Sequence, residues 1–227
     1  MAKRAVVLLS GGLDSATVLA MAKAQGYEPY ALTVDYGQRH SREIDCARRQ
    51  GRSQQVAQHK VVRLELPSKS SSVLTGTGPM PAAQSDRSTS DIPATYVPAR
   101  NTILLALALS WAESLPAADI FIGATAVDYS GYPDCRPEFI ESFEQLANLA
   151  TKAATQDGKE FHIHAPLVHL AKHEIIKRGQ ELGMDFALTH SCYDPDQQGR
   201  ACGRCDSCAL RLKGFSKAGL ADPLEYA

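Results

Sequence analysis

The sequence predicts an α/β protein built on a five-stranded parallel sheet. Three observations carry that expectation. From Ala5 to Leu66, short apolar runs alternate with helix-favouring stretches in the order β-α-β-α-β, which calls for right-handed crossovers between parallel strands. The first run is continuously apolar, the pattern of a strand covered on both faces. That run ends in two adjacent glycines that open a helix, the join expected at the C-terminal edge of a parallel sheet.

Each element follows in order. Ala5–Leu9 is the first strand, and Ala16–Ala24, rich in Ala, Leu and Met, the first helix. Tyr30–Val34 is the second strand and runs into a DYGQ turn at Asp35. Arg42–Gln58 is polar and helix-favouring, with Ile44, Cys46 and Ala47 on its inner side. Lys60–Leu66, KVVRLEL, is the third strand. From about 67 to 93 the chain is dense in Ser, Thr, Gly and Pro without periodicity, so this stretch reads as a mobile lid. Asn101–Glu113 is apolar nearly all round and predicts a buried helix. Ala118–Gly123 is the fourth strand, Glu138–Thr155 a helix, Phe161–Ala165 the fifth strand and Lys172–Leu182 a helix. A cysteine-bearing tail runs from about 189 to 227. No internal repeat is present, and one domain over 1–227 is expected.

Composition narrows the function classes. A formal net charge of -1 supplies no basic field for nucleic acid. No apolar stretch approaches the roughly 20 residues that span a bilayer, and the N-terminal apolar run is too short for a signal peptide. A cytoplasmic protein acting on small molecules is expected. In a reducing compartment its 6 cysteines point to metal or catalysis rather than disulfides.

The stretch SGGLDS, Ser10–Ser15, follows the first strand directly. Glycines let backbone approach an oxyanion, the helix start offers free N–H groups and a favourable dipole, and Ser10 and Ser15 add hydroxyls. The pattern is neither GxxxxGK[ST] nor GxGxxG. SGGLDS resembles the pyrophosphate-binding loop of the N-type ATP pyrophosphatases, a Rossmann-like adenine nucleotide alpha hydrolase (PP-loop) fold. That resemblance implies adenylation: ATP activates a carbonyl oxygen as its AMP ester, and a nucleophile then displaces AMP. It also implies an ATP-binding stretch over Leu8, Leu9, Ser10, Gly11, Gly12, Leu13, Asp14, Ser15, Ala16, Thr17 and Val18, with Asp35 beside it.

TYVPARNTILL (Thr95–Leu105), VDYSGYPDCRPEF (Val127–Phe139) and HSCYDPDQQGRACGRCDSC (His190–Cys208) resemble the 7-cyano-7-deazaguanine synthase family of queuosine biosynthesis. The resemblance runs from Val6 to about Asp222. It implies an ATP-dependent ligase that turns 7-carboxy-7-deazaguanine and ammonia into the nitrile through an adenylated acid, an amide and an adenylated amide. It further implies Mg2+ with ATP, one structural Zn2+ per chain, and a homodimer.

Read as chemistry, the stiff GYPDCRPEF segment projects Asp134 and Arg136, one suited to base N–H donors and the other to a substrate carboxylate. Tyr129 and Tyr132 can stack on the base. Arg100 would point toward phosphates or carboxylate, with Asn101 capping the helix that follows. Lys172, at a helix start, either holds pyrophosphate or is an ordinary surface lysine. Asp35 binds ribose or magnesium or simply starts its turn, and Asp14 caps a helix or faces magnesium; Asp128 is a third acid of open role. His40, His169, His173 and His190 read as structural or solvated. Cys46 reads as a small buried hydrophobe, and Cys135 as an unreactive thiol in the substrate loop.

Cys192, Cys202, Cys205 and Cys208 follow C-x9-C-x2-C-x2-C. Four thiolates in a short polar loop can close a tetrahedral zinc site. An iron–sulfur cluster or a redox role is the alternative on spacing alone, and the resemblance favours zinc.

Overall fold

Five parallel strands form one sheet in the order β3-β2-β1-β4-β5. They are β1 (Lys3–Leu8), β2 (Tyr27–Asp35), β3 (Gln58–Arg63), β4 (Asp119–Phe121) and β5 (His162–His164). The helices are α1 (Leu13–Ala24), α2 (Arg42–Ser53), α3 (Arg100–Ser114), α4 (Pro137–Ala150), α5 (Lys152–Thr155), α6 (Lys172–Glu181) and α7 (Asp206–Ala218). This computed structural model describes residues 2–38, 42–66, 72–76, 78–83, 92–127 and 132–227.

The period-two geometry of β1 feeds two cores. Val6 and Leu8 pack with Leu32, Ile120 and the α3 residues Leu105 and Trp111. Ala5, Val7 and Leu9 pack with Val18 and Leu19 of α1 and Ile175 and Ile176 of α6. Covered on both faces, β1 is a rigid base for the loop that leaves it. The sheet grows from β1 toward β3 on one side and toward β5 on the other. The switch point, where open α/β sheets bind ligands, is therefore at the C-terminal ends of β1 and β4.

The element order is the expected one, and most boundaries move. Strand β1 starts at Lys3 because its ladder with β2 pairs Lys3 with Tyr27. Helix α2 stops at Ser53 and β3 starts at Gln58, with Gln55 in a left-handed turn between them (φ 53). The single helix expected over 138–155 is two. Thr151 is extended, and its hydroxyl accepts the Ala154 N–H at 3.3 Å, capping a new turn. Helix α3 is not buried all round: Thr102, Ala106 and Ser110 face outward. Helix α7, which is capped by Cys205 and contains Cys208, carries no strong apolar periodicity in the sequence. Of the expected lid, the described pieces lie against the site and tail. Leu74 faces the cavity, and Met80 packs on the cysteine cluster. The rest of 67–93, like His40 and the Asp128 and Tyr129 positions, lies outside the described residues. Among the described residues, no helix is long and apolar enough to cross a membrane.

Candidate active site

A cavity of about 240 Å³ opens at the predicted switch point. Its floor is the β1–α1 loop. Ser15 Oγ accepts the Ser10 N–H at 3.1 Å, donates to the Gly12 carbonyl at 3.1 Å, and lies 3.0 Å from Ser10 Oγ. The Gly12 N–H points at Ser10 Oγ at 3.4 Å. The first helical bond of α1 is from Ala16 N–H to the Gly12 carbonyl. The amides of Leu13, Asp14 and Ser15 are thus the helix's leading donors, the standard environment for an oxyanion.

The two glycines do different jobs. Gly11 has φ +91, and a Cβ there would lie 2.0 Å from the Glu43 carbonyl oxygen and 2.8 Å from Ala47 N. It is glycine so that α2 can lie against the loop. Gly12 has an ordinary φ of -78 and caps α1. The nearest atoms to a Cβ at Gly12 would be Ser10 Oγ, Ser191 Oγ and the His190 carbonyl oxygen, at 3.5 to 3.9 Å. Packing therefore leaves room for a Cβ at Gly12, which lines the cavity, but not at Gly11.

Among the stretch expected to bind nucleotide, Leu8, Leu9, Ser10, Gly12, Leu13, Asp14 and Ser15 line the cavity. Ala16, Thr17 and Val18 are core residues, and Thr17 Oγ1 donates to the Leu13 carbonyl at 2.9 Å. Asp35 does not line the cavity; it accepts the Gly37 N–H at 3.2 Å and so makes the turn.

Lys172 is a buried residue rather than a surface one. Its Nζ reaches both Asp14 oxygens, at 2.8 and 2.9 Å, and only 10% of its side chain is exposed. Gly214 of α7 makes the room: a Cβ there would stand 2.5 Å from Lys172 Cγ. Asp14 is accordingly an ion-pair partner and not the helix cap. Arg100 begins α3, with its guanidinium 3.3 Å from the Tyr36 hydroxyl. Asn101 does not cap α3; Ala99 holds that position in a left-handed conformation (φ 53). Asn101 instead bonds sideways, giving its N–H to Asp134 Oδ2 at 2.9 Å and its Nδ2 to the Asp134 carbonyl at 2.8 Å.

The segment expected to read the base is split by its geometry. The turn at Pro133–Cys135 buries Tyr132 and Cys135 in the cavity wall. It spends the Asp134 carboxylate on the start of α3 and leaves Arg136 exposed at the α4 N-cap. Neither Asp134 nor Arg136 is among the described residues lining the cavity. The Cys135 thiol is pushed up to about 11 by burial and by Asp134, which makes it a poor nucleophile.

The far wall comes from the tail. The His190 N–H donates to the Gly11 carbonyl at 3.0 Å, and His190, Ser191, Cys192 and Tyr193 face the cavity. His169 is exposed and His173 half-buried outside it, whereas His190 is only 4% exposed. Arg211 of α7 clamps this wall. It pairs with Asp222 at 2.8 and 3.0 Å and donates to Thr189 Oγ1 at 2.8 Å. The sulfurs of Cys192, Cys202, Cys205 and Cys208 lie within 4.8 Å of one another, with Cys202 and Cys208 4.0 Å apart. A tetrahedral ion with metal–sulfur bonds of about 2.3 Å needs sulfurs about 3.8 Å apart, so the four cysteines fit a metal. Glu43 and Arg211 are among the cavity residues that carried no signal in the sequence, whereas Ser191 lies in the HSCY stretch already singled out. The first two reach the cavity through long-range packing.

Fold and loop together define the class, the α/β nucleotide-binding proteins that carry a PP-loop. The sequence family described as "Queuosine biosynthesis protein QueC" matches residues 4–219, and the chain belongs to that family. It is 57% identical over 227 residues to the 7-cyano-7-deazaguanine synthase of Geobacter metallireducens, covering 100% of this chain and 94% of that protein. It is 59% identical over 225 residues to the same-named protein of Pseudomonas fluorescens, covering 99% and 98%. Among solved structures, NMN synthetase from Francisella tularensis is similar in fold. Its TM-score is 0.50 at 16% identity, covering 97% of this chain and 79% of that one. A predicted subunit of tRNA methyltransferase from Methanocaldococcus jannaschii gives 0.50 at 17%, covering 97% and 90%.

Proposed function

We propose that this chain is an ATP-dependent ligase forming carbon–nitrogen bonds, converting 7-carboxy-7-deazaguanine and ammonia to 7-cyano-7-deazaguanine with release of AMP and pyrophosphate. The observation that carries this reading is a full-length likeness to 7-cyano-7-deazaguanine synthases, coupled to an anion cradle that shares one cavity with Arg100 and Lys172. Ser10, Gly12 and Ser15 take the pyrophosphate end of ATP. Lys172 exchanges Asp14 for phosphate, and Asp14 is then free to meet the magnesium that travels with the nucleotide. Arg100 receives the substrate carboxylate and steadies charge as the adenylate forms. Asp134 acts through α3, fixing the turn that bears Arg100. The deazaguanine ring lies against the wall made by Tyr132 and Cys135.

Cys192, Cys202, Cys205 and Cys208 would together hold a zinc ion, using all four thiolates and leaving no position for substrate. With the metal bound, these cysteines would anchor the 190–193 wall. Counting AMP tests the reading: two AMP per nitrile formed, and one when the amide is supplied instead. An amide that accumulates as the final product, at one AMP each, would reduce the protein to an amide synthetase.

A further inference from the structure

The cavity receives anions, yet Glu43 stands in its wall. Glu43 is in the first turn of α2, next to the phosphate loop, because its own carbonyl packs on Gly11. Among the described residues lining the cavity, the carboxylates are Asp14 and Glu43. Asp14 is spanned by Lys172. Glu43 faces the charge of Arg100, and among the described residues no hydrogen bond reaches its carboxylate. A half-buried acid beside the place where ATP and a carboxylic acid are to bind repels both. Such a residue is useful to the one cationic reactant. At neutral pH ammonia is almost all ammonium, which binds carboxylates and is no nucleophile until it loses a proton.

We infer that the Glu43 carboxylate is the ammonium-binding group and the base for both nitrogen steps, an inference that rests on the reaction proposed above. In the first step an ammonium N–H bond breaks and the proton moves to a Glu43 oxygen. The freed electron pair forms the C–N bond at the adenylated carboxyl carbon. The C–O bond to the phosphate then breaks, AMP leaves with its electron pair, and the surplus proton on nitrogen passes to solvent. In the second, the adenylated amide carries two N–H protons. One goes to Glu43 and one to solvent; the C≡N bond forms as the C–O bond breaks and AMP leaves. Burial, only partly opposed by Arg100, holds the Glu43 carboxyl up at about 7, where it can take and return protons near neutrality.

Glu43→Gln keeps size and removes the base. Rapid-quench assays separate adenylate formation, read as pyrophosphate released from ATP and the acid before ammonium is added, from adenylate discharge by ammonium chloride. The expected result is discharge slowed about 100-fold or more, with adenylate formation changed by far less and Glu43→Asp in between. Hydroxylamine, uncharged at neutral pH, should discharge the adenylate on Glu43→Gln far better relative to ammonium than on the parent protein. The inference is overturned if discharge by ammonium matches the parent protein. It is also overturned if both stages fall by the same factor, which would make Glu43 a residue for the base or the loop, or if excess magnesium restores the rate, which would make it a metal ligand. A parent protein that releases no pyrophosphate with the acid refutes the proposed reaction instead.

Discussion

Replacing each loop glycine by alanine separates folding from nucleotide binding. At Gly11 the new methyl would stand 2.0 Å from the Glu43 carbonyl and 2.8 Å from Ala47 N. Both are helix backbone, so α2 must shift by about 1 Å or the loop must rebuild. Overpacking of this kind costs about 1–3 kcal/mol, and a left-handed φ of +91 adds roughly 1–2 kcal/mol for a residue with a Cβ. A total loss of about 2–5 kcal/mol corresponds to a melting temperature lower by roughly 4–20 °C in a chain of this size. At Gly12 the methyl meets its nearest neighbours at 3.5 Å or more, with φ at -78. Stability should change by less than about 1 kcal/mol. The methyl would, however, narrow the cavity that Gly12 lines. Thermal melts and equilibrium ATP binding check the pair. Gly11→Ala should melt early, whereas Gly12→Ala should melt normally and bind ATP at least about 10-fold more weakly, equivalent to about 1.4 kcal/mol. A Gly12→Ala protein with parental ATP affinity would show that the phosphates bind elsewhere, and an unshifted melt for Gly11→Ala would refute the packing argument.

Gly214→Val should lower turnover by displacing Lys172, whose Cγ is 2.5 Å from a Cβ at that position; the check is ATP-dependent AMP release, with circular dichroism to show that α7 persists. Cys205→Ser should lose the metal and melt early, because binding energy in such a site is folding energy. Elemental analysis should find about one zinc and little iron per parent chain, and a metal-free variant that stays folded, binds ATP and lacks only turnover would move the thiolates into the chemistry. Asp119, 1% exposed, accepts from His164 at 2.7 Å and Tyr27 at 3.0 Å and pairs with Lys3 at 3.0 Å. Burial pushes its carboxyl up, but these partners outweigh burial and bring it from 3.8 to about 2. A depressed carboxyl stabilises the fold fully above its unfolded pKa, so about 2 kcal/mol should be lost as pH falls from about 4 to 2. Denaturant unfolding across that range should show a shallower acid loss in Asp119→Asn, which should already be less stable at pH 7.

What the sequence determined by itself was local. Val6–Leu9 had to be a strand covered on both faces, because four consecutive apolar residues have no solvent side. The glycine pair after it marked a tight strand-to-helix join, and the C-x9-C-x2-C-x2-C spacing marked four sulfurs able to share one metal. These features depend on neighbours a few residues away, and the chain writes them in order. The tertiary structure decided everything that rests on which elements lie side by side. Only the placement of α2 shows that Gly11 serves packing, while Gly12 lines the cavity. Only the sheet order brings Lys172 onto Asp14, 158 residues earlier in the chain. The acid expected to read the base, Asp134, is spent on Asn101 because α3 starts within 2.9 Å of it. Glu43 faces the cavity because α2 lies against Gly11. A charged side chain carries no mark in the sequence of whether it will face water or a wall, and packing across distant segments makes that choice.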